Sequence, residues 1–108
     1  MPYDPQLAVQ MRSALQSRPG IVEKKMFGGF CWMLNGNMLC GVEVGRFMFR
    51  VGKALEGEAL ALPGVTPMDI TGKPMRGLVW VDARQATGAA LERWIALAVR
   101  YVGALPPK

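Results

Sequence analysis

Between Glu23 and Gly52 the chain alternates polar and apolar residues with a period of two, and glycine breaks the pattern at Gly28-Gly29, Asn35-Gly36 and Gly45. Alternation of this kind belongs to strands with two distinct faces. Asn-Gly is the pair that a tight hairpin turn requires, because both of its central residues take positive φ. The stretch therefore predicts an antiparallel meander. Ile21 to Leu34 reads as one long strand bent at Gly28-Gly29, followed by a second from Asn37 to about Val44. A third carries Phe47, Phe49 and Val51 on one side and Arg46, Met48 and Arg50 on the other.

The flanking segments supply cover for such a sheet. Asp4 before Pro5 is a helix start, and Leu7, Met11, Ala14 and Leu15 form one apolar stripe that ends before Pro19-Gly20. Lys53 to Leu62 predicts a short helix with Leu55, Ala59 and Leu62 turned inward and Pro63-Gly64 as its stop. Val65 to Thr71 and Leu78 to Asp82 predict two short strands about a Gly72-Lys73-Pro74 turn. Leu91, Trp94, Ile95, Ala98, Val99 and Val102 mark a last helix, with Thr87 as its cap and Gly103 as its stop. The expected fold class is two-layer α+β in the order α-β-β-β-α-β-β-α, an antiparallel sheet with helices packed on one face.

With 108 residues, 51% of them hydrophobic, residues 1–108 are expected to form a single domain. So high an apolar fraction in so small a unit also suggests a homodimer. No stretch is long and apolar enough to span a membrane, and the N-terminus lacks the basic and apolar regions of a signal peptide, so a cytoplasmic protein is expected. The net charge of +5 suits an acidic partner or nucleic acid, and it equally suits an ordinary basic protein.

Histidine is absent, which removes Ser-His-Asp and Cys-His catalysis and the commonest metal ligand. Glu56 and Glu58 are too close in sequence to share a helical face, and Gly28-Gly29 lacks the spacing of a dinucleotide or P-loop motif. The chain is expected to be no enzyme and to use no cofactor. A two-residue Asn35-Gly36 turn would set Cys31 opposite Cys40 with Cα atoms roughly 4.5 Å apart. That pair reads as two buried thiols, as a reversible disulfide, or as a soft metal site completed by Met33 and Met38; a reducing cytoplasm favours the first.

Lys25, Arg46, Arg50, Lys73 and Arg76 are the candidate binding face. Arg46 and Arg50 share one side of their strand by alternation, and Lys25 and Arg76 would have to converge on it. Such a patch would hold phosphate or an acidic partner through charge-assisted hydrogen bonds; pairing with Glu23 and Glu43 would spend it internally. Met33, Met38 and Met48 are expected, with the two cysteines, on a second sheet face that no helix covers, a surface suited to a dimer or a protein partner.

Lys24-Lys25-Met26-Phe27-Gly28-Gly29, Asn35-Gly36-Asn37-Met38, Arg50-Val51-Gly52, Pro67-Met68-Asp69, Gly72-Lys73-Pro74-Met75 with Gly77, and Leu105-Pro106-Pro107-Lys108 occur in this order. Together they resemble the N-terminal domain of the TfoX/Sxy family over almost all of the chain. The resemblance implies a secretion-chaperone-like α+β fold and a link to competence and transcription regulation in bacteria. It offers no established catalytic residues to carry over, and the chain is read as a regulatory or interaction module that binds a protein partner or nucleic acid through its basic face, or else as a chaperone-like adaptor that uses the apolar Met/Cys sheet face. Regulatory members have a helical second domain; this sequence stops at Lys108, so a stand-alone single-domain member is expected.

Overall fold

Helix α1 (Pro5–Leu15) begins as its sequence dictates: the Asp4 carboxylate accepts from the Gln6 N–H at 2.9 Å, and Pro5 stands where no amide proton is needed. Leu7, Met11 and Leu15, with Ala8, form its buried stripe. The structure is a computed structural model that describes residues 4–26, 29–70 and 73–107, with the side chains of Met26, Asp69, Ile70 and residues 73–75 outside the description.

Strands β1 (Ile21–Met26) and β2 (Gly29–Leu34) pair antiparallel, Ile21 with Leu34 and Met26 with Gly29, so the expected single bent strand is two strands. A continuous strand over these residues would run roughly 46 Å. The molecule's longest extent is 32 Å. The bend expected at Gly28-Gly29 falls in part on residues 27 and 28, which lie outside the described residues.

β3 (Asn37–Glu43), β4 (Arg46–Arg50), α2 (Lys53–Leu60), β5 (Val65–Ile70), β6 (Lys73–Asp82), a 3-10 turn at Ala83–Gln85 and α3 (Ala89–Val102) complete the chain. The order is thus α-β-β-β-β-α-β-β-α, one strand more than the sequence predicts, within the expected α+β class. Six antiparallel strands form one open sheet in the order β1-β2-β3-β4-β6-β5. Its edges discourage further strand pairing: β1 carries Lys24-Lys25, and β5 carries Pro67, which has no N–H to offer. Helix α2 stops at Leu60, so Leu62, expected inward, lies beyond it and is 50% exposed. At the start of α3 the cap position is Gly88 without a side-chain bond, and Thr87 contributes its backbone oxygen to the Ala90 N–H.

The β2–β3 turn forms as expected, with φ of 53° at Asn35 and 84° at Gly36. Two residues later the register shifts. Met33 still faces Met38, but Trp32 faces Cys40 and Cys31 faces Gly41, leaving Leu39 as the extra residue of a bulge. The bulge sends both Leu39 and Cys40 into the main core, each fully buried. That core lies between the helices and one sheet face. Phe47, Phe49, Val79 and Val81 of the central strands meet Ile95, Ala98 and Val102 of α3, and the Phe49 ring stacks on Trp94 at 5.4 Å.

Two tertiary ties account for motif residues with no evident chemistry. Asn37 Nδ2 donates to the Pro106 carbonyl at 3.0 Å, clasping the C-terminal segment to the hairpin while Leu105 packs on the core. Where β4 leaves the sheet, the Val51 and Gly52 amides donate to the Gly77 carbonyl at 2.8 and 3.1 Å. Gly52 and Gly77 both take positive φ at this crossing, 88° and 86°.

Candidate functional site

The sheet face away from the main core carries a second apolar cluster. Register places Lys24, Cys31, Gly41, Met48, Trp80 and Thr66 in one row across all six strands. Cys31, Met48, Met68 and Leu78 are buried there, with Met38 and Trp80 packed against them, and every one of these residues belongs to a strand. Gly41 lets the row close: a Cβ at this position would stand 3.2 Å from Cys31 Sγ and 3.4 Å from Met48 Cε. Beside the cluster, Val22 is 56% exposed opposite half-buried Met33. Among the described residues this face is rich in thioethers, has one aromatic, Trp80, and is suited to irregular apolar partners. Cys40, which the sequence places on this face, is in the main core instead.

The basic residues do not converge. Arg46 lies 3.8 Å above the Trp80 ring and 2.7 Å from a Glu43 oxygen, with Asp82 as its cross-strand neighbour. It caps the tryptophan, and the Glu43 carboxylate offsets its charge, while the Asp82 carboxylate is taken up by Arg84. Arg50, at the other end of β4, lies 5.8 Å from the Tyr101 ring. Arg76 pairs with Glu56 at 2.7 Å beside α2. Lys25 is paired in register with Phe30, which packs on the main core, so Lys25 belongs to the helix-bearing face, whereas Arg46 stands on the other. Its strand is four inter-strand spacings from the strand of Arg76, roughly 19 Å. The Lys73 side chain lies outside the described residues. Of the acids considered as internal partners, Glu43 does pair with Arg46, while Glu23 is held by Arg12 at 2.6 Å.

Nor are the cysteines a cross-strand pair. The bulge sets Cys31 in the second cluster and Cys40 in the main core, on opposite faces of the sheet, where the Cys40 thiol lies 3.7 Å from Met11 Sδ. Burial pushes both thiols above their ordinary pKa, and for Cys40 the nearby Cys31 adds to it. Protonated, enclosed thiols are poor nucleophiles. Among the described residues no group of three or more His, Cys, Asp or Glu side chains is placed to hold a metal ion.

Glu56 is the functional-looking group that sequence reasoning passed over. It is buried, and its two oxygens accept from the Gly77 N–H at 2.8 Å and from Arg76 Nε at 2.7 Å. Those two donors hold its carboxyl below the ordinary value of 4.5. A lowered folded-state pKa stabilises the fold fully above the unfolded-state value, and the contribution fades as pH falls through the folded-state value. Asp82, held down to about 2 by the side chain and N–H of Arg84, and Glu23, held down by Arg12, act in the same direction. Comparison with Glu56→Gln isolates the one group. Urea midpoints of the native chain should drop more steeply below about pH 4.5 than those of Glu56→Gln. Glu56→Ala, which strands the Gly77 amide, should cost about 2–3 kcal/mol at neutral pH. Parallel pH profiles for the native chain and Glu56→Gln would show that the carboxylate is not the acid-sensitive group.

Compared with known proteins, residues 13–101 match the family model described as the TfoX N-terminal domain. No curated protein matches the chain, and no solved structure does.

Proposed function

The chain belongs to the TfoX N-terminal domain family, and from that membership we propose that it is a non-enzymatic interaction module that docks a protein partner on the sheet face its helices leave open. The observation that carries this reading is the second cluster, built among the described residues from strand residues alone on the face opposite the main core. Met38 and Trp80 are its half-buried members, Arg46 lies over the Trp80 ring, and Lys24 stands in the same row on the edge strand, so apolar and basic groups lie together on this face. Thioethers repack against varied side chains, which suits a module that meets a partner of irregular shape, a second copy of the chain included. Regulation of competence or transcription, in the cytoplasm, would then run through this protein contact.

Nucleic-acid binding by a basic face is the weaker reading. It rests on the net charge of +5, but Arg46 and Arg76 already hold carboxylates that a phosphate would have to displace. Fluorescence anisotropy with short duplex and single-stranded DNA separates the two. The expected result is no binding tighter than about 10⁻⁴ M at moderate salt, unaffected by Arg50→Ala. A photo-crosslinking residue at position 38 should meanwhile capture a protein in high salt, because apolar contact is little screened. Micromolar DNA binding that falls steeply with salt and with Arg50→Ala would transfer the function to nucleic acid.

A further inference from the structure

Leu62 is half exposed because α2 ends before it, and it forms one wall of a groove of about 450 Å³ between the α2–β5 connection and α3. That volume lies within the range of about 300–1,000 Å³ typical of small-ligand clefts. From α3, Ala90, Arg93, Trp94 and Leu97 face it at the spacing of one helical side. The Trp94 ring is fixed from behind by its stack on Phe49. Pro63 extends the apolar wall and Gln85 stands among the lining residues. The opposite wall is equally fixed. The Gly64 carbonyl accepts from the Asp82 N–H at 2.8 Å, and Gly64 sits so close to Gln85 that a Cβ there would approach Gln85 Cγ to 2.5 Å. The groove is therefore formed before anything enters it.

Arg93 is the one charged residue lining this groove, and among the described residues it has no carboxylate partner. We propose that the groove binds a small free carboxylic acid with an apolar chain or ring, its body against Trp94, Leu62 and Leu97 and its carboxylate on Arg93. A guanidinium offers two parallel N–H donors that match a carboxylate, and Gln85, which also lines the groove, carries an amide donor. One cation balances a monoanion. A phosphate dianion would leave charge uncompensated against apolar walls, and a neutral apolar molecule would make no use of the Arg93 guanidinium. This site lies on α3, in the helical layer, and does not depend on the sheet face proposed for protein docking.

The test is titration of the full-length, isotope-labelled chain with octanoate, followed by amide NMR shifts. Saturable shifts are expected at Arg93, Trp94 and Leu97. Octanol, which lacks the charge, should bind on the order of tenfold more weakly, and acetate, which lacks six methylenes, on the order of a hundredfold or more. Arg93→Gln, an exposed substitution, should lower octanoate affinity by about tenfold. Ala90→Phe, which fills the groove, should abolish the saturable shifts while the spectrum stays dispersed. Shifts that do not saturate, that are equal in Arg93→Gln, or that fall on Met38 and Trp80 overturn the proposal.

Discussion

Gly52→Ala is expected to cost about 4 kcal/mol of folding stability, more than a single methyl group ordinarily does, because two separate costs add. Gly52 holds φ 88° and ψ 156°, a backbone conformation open in practice to glycine alone, and forcing a side chain into it costs about 1–3 kcal/mol. The new Cβ would also stand 2.5 Å from Tyr101 Cδ1. Displacing the half-buried ring adds roughly 1–3 kcal/mol. A double-mutant cycle separates the two: in a Tyr101→Ala background Gly52→Ala should lose only the backbone part, about 2 kcal/mol. Urea denaturation at constant m-value is the measurement. A loss below about 1 kcal/mol in the native background would mean that the β4–α2 connection shifts freely, contrary to its two bonds to the Gly77 carbonyl.

The same crossing shows why the family pattern is legible as fold and mute as chemistry. Gly77 approaches Gly52 so closely that a Cβ there would stand 3.2 Å from the Gly52 carbonyl carbon. Asn35-Gly36 makes the turn, Asn37 clasps Pro106, Lys24-Lys25 and Pro67 blunt the two sheet edges. These motif residues are used in holding backbone in place. The helices were readable from their apolar period, most clearly along α3, and at α1 the Asp4 cap agrees with it.

What sequence reasoning missed follows from what a period of two cannot encode. Alternation is the same on both sides of a bend and of a reversal, so β1 and β2 merged into one strand. The run Met38-Leu39-Cys40-Gly41-Val42 is apolar throughout, and an apolar run carries no register. Gly41 was the available clue, since glycine inside a strand marks a bulge or a close approach, and here it lies next to one and permits the other. The cysteine pairing failed for that reason alone. The basic face failed differently. Arg46 and Arg50 do share a strand face by alternation, but Trp80 and Glu43 engage the first, and Glu56, read only as too close to Glu58 to share a helical face with it, engages Arg76.

Phe49→Ala should be the second severe substitution, at about 4 kcal/mol. The side chain is fully buried in the central strand β4, flanked by Cys40 and Val79 on the neighbouring strands, with Trp94 stacked at 5.4 Å and Phe47 tilted at 6.1 Å. Removing the ring forfeits its transfer free energy and leaves a cavity that a six-stranded sheet cannot close without moving the helix above it. Against a total stability of roughly 5–15 kcal/mol, such a loss leaves a substantial part of the chain unfolded in mild denaturant. Phe49→Leu, which keeps most of the volume, should lose only about 1.5 kcal/mol. The pair of variants distinguishes packing from pinning. If Phe49→Ala lost less than about 2 kcal/mol, Trp94 would be free to collapse into the space. The floor of the α3 groove would then move with it, and octanoate affinity would change in the same variant. If the full loss is found, the stack on Phe49 is what holds that floor in place.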